Sequence, residues 1–354
     1  MSIAPTTTHV GRRLVAGFLK SPGQILPQGG GSKRPPGQGR EHSQRIEPTA
    51  FNGRVIPEFG FRKVLNRGPS QPLPRMPWEY SDEYYTEYTR TTWNESATAY
   101  VDWMRNLEPF RSEALVQLKP RPGERILDLG TGPGEPALTI AREVGSDGRV
   151  FGVDLSEKMI QIADQVRSGR KIHNAEFQVM DCSKLTFPDA SFDAAISCFG
   201  FQIFTNPETA ASEAYRVLRP EGRILATVWS TGNKVPFLDV IIAPMLEHAE
   251  PDATGYLPTP YETGGPGEMV AFLEAAGFRR AEERRVTHVM RYESEQAYLE
   301  SILTATPIGH SLSEESKEVQ EEVLTKTRAN LQKWAAPEGI LLPAECVIAE
   351  AHKP

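Results

Sequence analysis

The chain contains few cysteines and lacks a long hydrophobic run. Its 354 residues include three cysteines, Cys182, Cys198 and Cys346, which lie far apart in the sequence. Their spacing matches neither a disulfide framework nor the paired ligands of a zinc site, and it is typical of a reducing compartment. No segment approaches the roughly 18–20 consecutive apolar residues that a membrane-spanning helix needs. We therefore expect no membrane span, no metal site and a cytoplasmic location.

The chain also lacks an excess of positive charge outside its N-terminal segment. The formal net charge is −7. Residues 1–77 contain 12 Lys/Arg and 3 Asp/Glu, a net charge of +9, so the rest of the chain carries −16. Nucleic-acid binding depends on Lys and Arg side chains that neutralise phosphates, and an acidic body is a poor match for it. We therefore predict no nucleic-acid partner.

Residues 1–75 show no sustained helical or alternating hydrophobic period and are rich in proline and glycine. Such a composition cannot bury enough apolar surface to offset the entropy of ordering, so we predict a mostly disordered basic extension. Three explanations for it stay open: organelle targeting through residues 1–40, a flexible arm for an acidic partner, or a start site placed upstream of the true one. We favour the third, because folded-protein patterning begins abruptly at Met76.

The most informative segment is Arg125–Glu135, with the sequence RILDLGTGPGE. A short apolar run ends in Asp128, and Gly130, Gly132 and Gly134 follow at alternate positions. A strand that enters a glycine turn at a helix N-terminus lets backbone N–H groups approach a polar ligand without interference from Cβ atoms. The spacing is G-x-G-x-G, whereas a dinucleotide-binding turn has the spacing G-x-G-x-x-G.

Four further strands are predicted downstream, in an order typical of a doubly wound sheet. Arg149–Asp154 ends in an acid, at the position where such sheets bind ribose hydroxyls. Ser156 is expected to cap the next helix, which has one apolar face. Asn206 and Pro207 begin another helix, with proline at its first position. The remaining predicted strands are Ala175–Asp181, Phe192–Cys198 and Gly222–Trp229.

These five strands and their end residues resemble the class I S-adenosylmethionine-dependent methyltransferases, and among them the group that includes the ubiquinone and menaquinone C-methyltransferases. The resemblance covers residues 120–230 through specific motifs, and more loosely the rest from about residue 76. It implies an α/β fold with a Rossmann-like, doubly wound, seven-stranded, mostly parallel sheet and helical cap insertions. Residues 1–75 would be an extension. Residues 76–354 would form the methyltransferase domain, with N-terminal helices at 78–118, a core at 120–230 and caps at about 230–266 and 293–342. After the core, a sixth strand is predicted at Val286–Tyr292 and a closing strand at Glu345–His352.

The resemblance implies S-adenosyl-L-methionine as the cofactor and assigns roles to residues at the strand ends. Asp128 would accept a hydrogen bond from the cofactor's ammonium, and Thr131 would donate to its carboxylate. Asp154 would bind the ribose hydroxyls through charge-assisted hydrogen bonds, and Leu155 and Met159 would pack on the adenine. A purely structural role stays open for the strand-end residues. The other implied cofactor-site residues are Gly130, Gly132 and Gly134 in the loop, Asp181 and Cys182 at the adenine amine, and Ser197 near the transferring methyl.

Aromatic residues crowd into Tyr80–Phe110, ahead of the first strand. Trp93, Tyr100 and Trp103 are spaced by near multiples of 3.5 residues, which predicts that they share one helical face. In related methyltransferases a helix before the first strand closes over the bound cofactor, so the resemblance implies that Tyr88, Trp93 and Tyr100 line the pocket. The alternative is an amphipathic helix that buries these aromatics against the sheet.

Three residues on segments that cover the substrate in related enzymes are candidates for catalysis: His310, Gln202 and Tyr261. His310 is the candidate general base because imidazole titrates near neutrality, with a surface or capping histidine as the alternative. Gln202 and Tyr261 could orient a substrate oxygen. Gln202 stands near the position at which the quinone methyltransferases carry an asparagine, a departure that puts a quinone acceptor in doubt.

The predicted function is methyl transfer to a small, largely apolar acceptor, at carbon or oxygen, such as a quinone, polyketide, isoprenoid or lipid-like metabolite. A protein or nucleic-acid methyltransferase is the first alternative, and the absence of an Asn/Asp-Pro-Pro-Tyr motif at Ser197–Gly200 argues against it. A noncatalytic cofactor-binding subunit is the second, and the intact glycine turn and both acids argue against that. The candidate residues for an apolar acceptor pocket are Phe201, Phe204, Trp229, Phe237, Met245, Leu257 and Trp334.

Overall fold

The computed structural model describes residues 50–51, 54–55, 82–248 and 263–354. The chain divides into two units after Arg75. In the first unit the described backbone is an antiparallel pair of two-residue strands, Ala50–Phe51 and Arg54–Val55. Apart from these strands, residues 1–75 lie outside the described residues, so the disorder predicted for them stays a prediction. The loop that contains Tyr261 also lies outside the described residues, and its predicted role is likewise untested.

The second unit is built on seven strands: β1 (Arg125–Leu129), β2 (Arg149–Asp154), β3 (Ala175–Val179), β4 (Phe192–Cys198), β5 (Leu218–Trp229), β6 (Arg279–Tyr292) and β7 (Gly339–His352). Their order in the sheet is β3-β2-β1-β4-β5-β7-β6. The pairs from β3 to β5 are parallel, whereas β7 is antiparallel to both of its long neighbours. A two-residue strand, Ala335–Ala336, also pairs with β7. The predicted seven-stranded, mostly parallel sheet is confirmed.

Ten α-helices accompany the sheet in the described part of this unit: α1 (Asp82–Trp103), α2 (Glu108–Leu118), α3 (Ala137–Glu143), α4 (Glu157–Gly169), α5 (Pro207–Val217), α6 (Pro236–Leu246), α7 (Glu268–Ala275), α8 (Glu295–Ala305), α9 (Pro307–Ser313) and α10 (Lys317–Leu331). Two predicted helix starts are confirmed. Ser156 caps α4 by accepting a hydrogen bond from the N–H of Met159, and Pro207 is the first residue of α5. Within the described residues, no helix is both long and apolar enough to cross a membrane.

Alternate residues along the buried strands enter two separate cores. On β1, Ile126 belongs to the cluster that contains side chains of α2 and α3, whereas Leu127 belongs to the cluster that contains side chains of α5. Both residues are completely buried. This alternation is what a parallel sheet covered by helices on both faces requires.

The strand order reverses between β1 and β4, because the chain extends the sheet from β1 to β3 and then returns to the other side of β1. In open α/β sheets, ligands bind outside the carboxyl ends of the strands at such a switch point. The glycine turn after β1 and the segment after β4 therefore border the same crevice.

Two strands are longer than the sequence predicts. β6 begins at Arg279 and β7 at Gly339, where hydrophobic patterning predicted Val286 and Glu345. The added part of β6 is rich in charged residues, so hydrophobic patterning does not detect it as a strand. It is ordered by its long ladder with β7 and by side-chain contacts such as those of Arg284 with α2.

The third strand is shorter than predicted and ends at Val179 instead of Asp181. Asp181 instead begins a turn, in which its Oδ1 accepts hydrogen bonds of 2.8 and 2.7 Å from the N–H and the hydroxyl of Ser183.

The predicted cap segments contain α6 and α8 to α10.

A buried ion pair joins the start of β1 to β5. Arg223 on β5 donates two hydrogen bonds of 2.8 Å to Glu124, and it also donates to the backbone carbonyls of Leu118 and Lys119. The side chains of Arg223 and Glu124 are 8% and 11% exposed. Because each charge is desolvated, its partner is needed to keep it inside the protein.

Replacing Arg223 with Met should therefore lower the free energy of unfolding by about 3–5 kcal/mol, since Glu124 would remain as a buried unpaired charge. Combining Arg223→Met with Glu124→Leu should recover part of that loss. The matched control is the pair Arg149–Glu176, whose side chains are 53% and 46% exposed. Arg149→Met should cost less than about 1 kcal/mol. Urea unfolding of the four proteins provides the measurement, and equal losses at the two sites would contradict the prediction.

Candidate functional site

The loop between β1 and α3 is held against the end of β2. Its three glycines have positive φ angles: +72° at Gly130, +54° at Gly132 and +102° at Gly134. Residues with a Cβ rarely adopt this backbone region. The N–H groups of Gly130 and Thr131 both donate to the carbonyl oxygen of Val153, at 2.9 and 3.0 Å. The loop therefore has a fixed conformation and exposes backbone rather than side chain.

A Cβ atom added at Gly134 and one added at Gly132 would have very different surroundings. At Gly134 it would lie within 3.3 Å of three packed side chains. At Gly132 the nearest atom would be Cε1 of Tyr100, at 3.9 Å. Glycine is therefore required at 134 by packing, whereas the space beside Gly132 is open, as a cradle for a ligand requires.

Asp128 is completely buried beneath the loop. Its Oδ2 accepts a hydrogen bond of 2.7 Å from the Thr131 hydroxyl, and its buried Oδ1 makes no hydrogen bond within the described part of the chain. Burial raises the pKa of Asp128 to about 7; Asp154 and Glu135 add to the rise, and the Thr131 hydroxyl and the nearby Ala137 N–H oppose it. The Thr131 proton that was predicted for the cofactor's carboxylate is thus engaged by Asp128.

Asp154 ends β2 and faces the same loop. Its Oδ2 accepts a hydrogen bond of 2.8 Å from the N–H of Gly132, and its Oδ1 accepts one of 2.9 Å from the N–H of Ser156. Burial raises the pKa of Asp154 to about 6, although the N–H groups of Ser156, Gly132 and Leu155 oppose the rise. This carboxylate therefore joins the glycine loop to the start of α4, which is a structural role, and its binding of ribose stays a prediction.

The residues predicted for the adenine follow β2 and β3. Leu155 is half-buried, and Met159 is buried in the first turn of α4. Cys182 is buried, and burial, followed by the charge of Asp154, raises the pKa of its thiol. The hydrogen bonds of Asp181 within the described chain use Oδ1, which holds the turn after β3. The structure thus places Cys182 beside Asp154 and leaves Oδ2 of Asp181 for a donor.

Helix α1 covers the glycine loop through two of its three predicted aromatic residues. Tyr100 is the residue next to Gly132, and burial raises its pKa to about 12. Trp93 packs edge-to-face on Tyr100, with ring centroids 5.3 Å apart. Tyr88 lies against α9, where its hydroxyl is 3.2 Å from that of Ser311. Trp93 and Tyr100 are therefore candidates for the cofactor pocket, and the contacts of Tyr88 place it at the junction of α1 and α9.

Sequence analysis missed the contact by which α1 binds the N-terminus of α4. Asn94 Oδ1 accepts hydrogen bonds from the Ser156 hydroxyl at 2.6 Å and from the N–H of Lys158 at 3.0 Å. Its Nδ2 donates to Glu157 at 2.9 Å, and Arg90 pairs with the same carboxylate at 2.5 Å. Free N–H groups at a helix N-terminus need acceptors, and α1 supplies one of them. Helix α1 is thus hydrogen-bonded to Ser156, which lies two residues after Asp154.

A cavity of about 20 Å³ separates the glycine loop from the turn between α1 and α2. The cavity is also lined by Met104, Arg111, Cys198 and Phe199. Arg111 is 6% exposed. Sequence analysis did not select it, because an arginine on a helix with charged neighbours is normally interpreted as solvent-facing.

Two predicted polar residues near the end of β4, Ser197 and Gln202, make hydrogen bonds with backbone groups. Ser197 is completely buried and donates a hydrogen bond of 2.9 Å to the carbonyl of Leu129, which joins β4 to β1. Gln202 Oε1 accepts a hydrogen bond of 2.8 Å from the N–H of Trp229 at the end of β5. The Ser197 hydroxyl proton is used within the sheet, so these contacts favour the structural alternative for Ser197.

His310 lies on α9 between two carboxylates. Its Nδ1 is 2.8 Å from Glu95 on α1, and its Nε2 is 3.5 Å from Glu314. Its ring also packs edge-to-face on Tyr88, with centroids 5.4 Å apart. These contacts connect α1 to α9, and none of them involves the glycine loop. Tyr261, the third catalytic candidate, is outside the described residues.

The residues at this crevice fit S-adenosylmethionine. The unpartnered Oδ1 of Asp128 is an acceptor for an ammonium, Asp154 offers carboxylate oxygens to a diol, and the open side of Gly132 leaves room beside the backbone.

Residues 126–222 match a family described as a methyltransferase domain. The demethylmenaquinone methyltransferase of Porphyromonas gingivalis is 33% identical over 190 residues, covering 50% of this chain and 77% of that protein. This chain belongs to the class I S-adenosylmethionine-dependent methyltransferases. The cofactor of this family is S-adenosylmethionine.

Other methyltransferases match shorter parts of the chain. The ubiquinone/menaquinone biosynthesis C-methyltransferase of Hydrogenovibrio crunogenus is 35% identical over 111 residues, covering 31% of this chain and 44% of that protein. The protein of the same name from Geotalea daltonii is covered over 55% of its length. The chain thus spans about half the length of these curated relatives.

Solved structures also match this chain at low sequence identity. Phosphoethanolamine N-methyltransferase 2 from Haemonchus contortus, in complex with phosphomonomethylethanolamine and S-adenosylhomocysteine, gives a TM-score of 0.49 at 20% identity. The match covers 79% of this chain and 61% of that one.

Gly132→Ala should lower the stability of the fold only modestly but weaken the binding of S-adenosylhomocysteine about tenfold or more, because the added methyl enters the open space of the cradle. Gly145→Ala is the matched control. Gly145 has φ +71° and open space around its Cβ position, and it lies in the turn after α3. Each variant should lose about 1 kcal/mol of stability. Thermal unfolding and calorimetric titration provide the measurements, and equal affinities for the two variants would contradict the cradle.

Asp128→Asn should flatten the pH dependence of apo-protein stability between pH 5 and 8. The folded-state pKa of Asp128, about 7, lies above its ordinary value of 3.8. The folded protein therefore holds a proton that the unfolded chain releases. The resulting stabilisation is complete below about pH 4 and is lost as the pH rises through 7. Urea unfolding at pH 5, 6.5 and 8 should show the wild type losing more stability than the variant, whereas parallel profiles would refute the raised pKa.

Proposed function

We propose that this protein transfers a methyl group from S-adenosylmethionine to a small, largely apolar metabolite, at carbon or oxygen. The observation that carries the proposal is a pair of carboxylates, the completely buried Asp128 and the half-buried Asp154, at the ends of adjacent strands. They lie beneath a glycine loop that is covered by Tyr100 of α1. The relatives that act on menaquinone and ubiquinone precursors by name support the acceptor class.

The residues that would hold the cofactor follow from this geometry. Asp128 Oδ1 would accept from the ammonium, and Asp154 would accept from the ribose hydroxyls. Leu155 and Met159 would contact the adenine face, with Asp181 Oδ2 at its amine. When bound, the cofactor supplies an electrophilic methyl group, so the main tasks of the protein are to position an acceptor and to exclude water.

A row of aromatic rings next to α1 supports an apolar acceptor. Trp103 lies 5.6 Å from Tyr100 between ring centroids, and Phe237 lies 6.3 Å from Trp103 and 4.8 Å from Trp229. Trp229 in turn stacks on Phe199 at 4.2 Å. This row runs from the glycine loop to the ends of β4 and β5. Apolar walls with few polar groups are typical of sites for small, hydrophobic ligands.

Other residues predicted to line the acceptor pocket lie, like the rings of the aromatic row, in the hydrophobic cores. Phe201 is packed among side chains of α5 and α7, and Met245 is buried with α6. Phe204 contacts Gly130 and Gly200, and it therefore covers the glycine loop. Trp334 packs on the larger core, and Leu257 lies outside the described residues. Fewer residues are therefore proposed to line the acceptor pocket than the sequence suggested.

Among the catalytic candidates, Gln202 has the best support as a residue that orients the acceptor. Its Oε1 is fixed by the N–H of Trp229, and Nε2 makes no hydrogen bond within the described part of the chain. This amide can therefore donate to an acceptor oxygen. His310 stays the proposed base, although its two carboxylate neighbours also suit a link between α1 and α9. Tyr261 stays a proposal without structural support.

Methyl transfer can be tested with S-adenosylmethionine labelled at the methyl group and an extract of the source cells. We expect the label in the organic-extractable metabolite fraction rather than in protein or RNA. Asp154→Asn should weaken the binding of S-adenosylhomocysteine about 10- to 100-fold, because charge-assisted hydrogen bonds are lost, and should lower transfer accordingly.

Asp164→Asn is the matched control, since Asp164 lies on α4 with its side chain 46% exposed and pairs with Arg167. It should leave binding and transfer unchanged. Label in protein or RNA would favour a macromolecular acceptor, and binding without transfer to any fraction would favour a noncatalytic subunit. Failure of the wild type to bind the nucleoside would overturn the proposal.

A further inference from the structure

Two buried polar groups at the row of aromatic rings next to α1 have no hydrogen-bond partner within the described part of the chain: Nε1 of Trp103 and the hydroxyl of Tyr292. The two residues are 8% and 6% exposed, and both belong to the larger hydrophobic core. Burying a polar group without a hydrogen bond costs free energy, so most buried polar groups in folded proteins have a partner. Both groups therefore need a partner that the described residues do not supply.

The two groups lie close to each other, at the contact between α1 and α8. Trp103 is the last residue of α1, and α1 packs against α8, which contains Ser301. Burial raises the pKa of Tyr292 to about 12, and the side chains of Trp103 and Ser301 oppose that rise. Both side chains are thus near the Tyr292 hydroxyl. Ser301 donates its hydroxyl proton to the carbonyl of Tyr298 at 2.9 Å. Trp103 and Tyr292 therefore keep their protons for another acceptor.

Tyr292 lies at the edge of the sheet on which the cofactor crevice opens. It is the last residue of β6. Because β7 is antiparallel to both β5 and β6, these two strands run in the same direction, and the carboxyl end of β6 lies at the ligand-binding edge. The ring of Trp103 is 5.6 Å from that of Tyr100, which is the residue next to Gly132. The Tyr100 ring therefore separates the two polar groups from the glycine loop.

We propose that Trp103 and Tyr292 bind an oxygen atom of the methyl acceptor, so that the acceptor is an oxygenated apolar molecule such as a phenol, an enol or a ketone. This inference rests on the proposed function and narrows its acceptor class. An indole N–H is a donor only, whereas a phenol hydroxyl both donates and accepts. A carbonyl or hydroxyl oxygen can accept from Trp103 and pair with Tyr292. An ammonium finds no acceptor in Trp103, and a hydrocarbon leaves both groups unpaired.

Selection of the acceptor follows from the cost of leaving these groups unpaired. A site that hydrogen-bonds a ligand's oxygen rejects analogues without it, because its buried polar groups then stay unsatisfied. The rings of Phe199, Trp229 and Phe237 provide no such preference, since they contact any apolar surface. With a pKa of about 12, Tyr292 is neutral at physiological pH and binds the oxygen without removing a proton. Both polar atoms are closed off from solvent, so the acceptor reaches them when α1 moves away from α8.

The test uses 2-naphthol and 2-methylnaphthalene, two probes of nearly the same shape that carry a hydroxyl or a methyl group at the same ring position. Saturating S-adenosylhomocysteine keeps both probes out of the cofactor site. The wild type should bind 2-naphthol about tenfold or more tightly than 2-methylnaphthalene. Trp103→Phe and Tyr292→Phe each keep an aromatic ring and remove one polar group. Each should lower that ratio about threefold or more, and the double variant should bring it near one. Calorimetric titration measures the ratio.

Tyr298→Phe is the matched control. Its ring packs edge-to-face on Tyr292 with centroids 5.1 Å apart, and its hydroxyl donates to the carbonyl of Phe237 at 2.7 Å. This variant should keep the wild-type ratio but lower the melting temperature, because a buried carbonyl loses its donor. Tyr292→Phe should not lower the melting temperature, because its hydroxyl has no partner to lose.

Failure of the wild type to prefer 2-naphthol, or to bind it, would overturn the inference, as would an undiminished ratio in the variants. A melting temperature lowered as much by Tyr292→Phe as by Tyr298→Phe would reveal a partner inside the protein and would also overturn it. If Trp103→Phe does not fold, the wild type and Tyr292→Phe decide. Transfer of labelled methyl groups to the cell extract tests the proposed function separately, and its absence would overturn that function whatever the probes show.

Discussion

The site depends on two carboxylates at the ends of adjacent parallel strands, the completely buried Asp128 and the half-buried Asp154. Desolvation disfavours the charged forms of Asp128 and Asp154, and their pKa values rise to about 7 and about 6. The hydroxyl of Thr131 and the N–H groups of Gly132 and Ser156 offset part of this cost. The N–H of Gly132 reaches Asp154 because the loop adopts positive φ angles. The glycine spacing is thus a requirement of this acid as much as of the ligand.

The covering helix and the ribose-binding acid are parts of one hydrogen-bonded arrangement. Asn94 on α1 accepts from the hydroxyl of Ser156 and from the N–H of Lys158, while the N–H of Ser156 donates to Asp154. A movement of α1 away from the crevice would therefore release acceptors at the N-terminus of α4. The position of α1 over the glycine loop and the capping of α4 therefore stabilise each other.

The sequence predicted those parts of the site that are local. Buried parallel strands appear as short apolar runs, and acids and glycines that follow them are visible as breaks, so Asp128, Asp154 and the loop could be found. Arg111 could not, because its burial depends on the turn between α1 and α2 folding back over a loop far along the chain. The start of β6 at Arg279 was missed for a related reason. Charged edge strands are ordered by their neighbours rather than by a hydrophobic pattern.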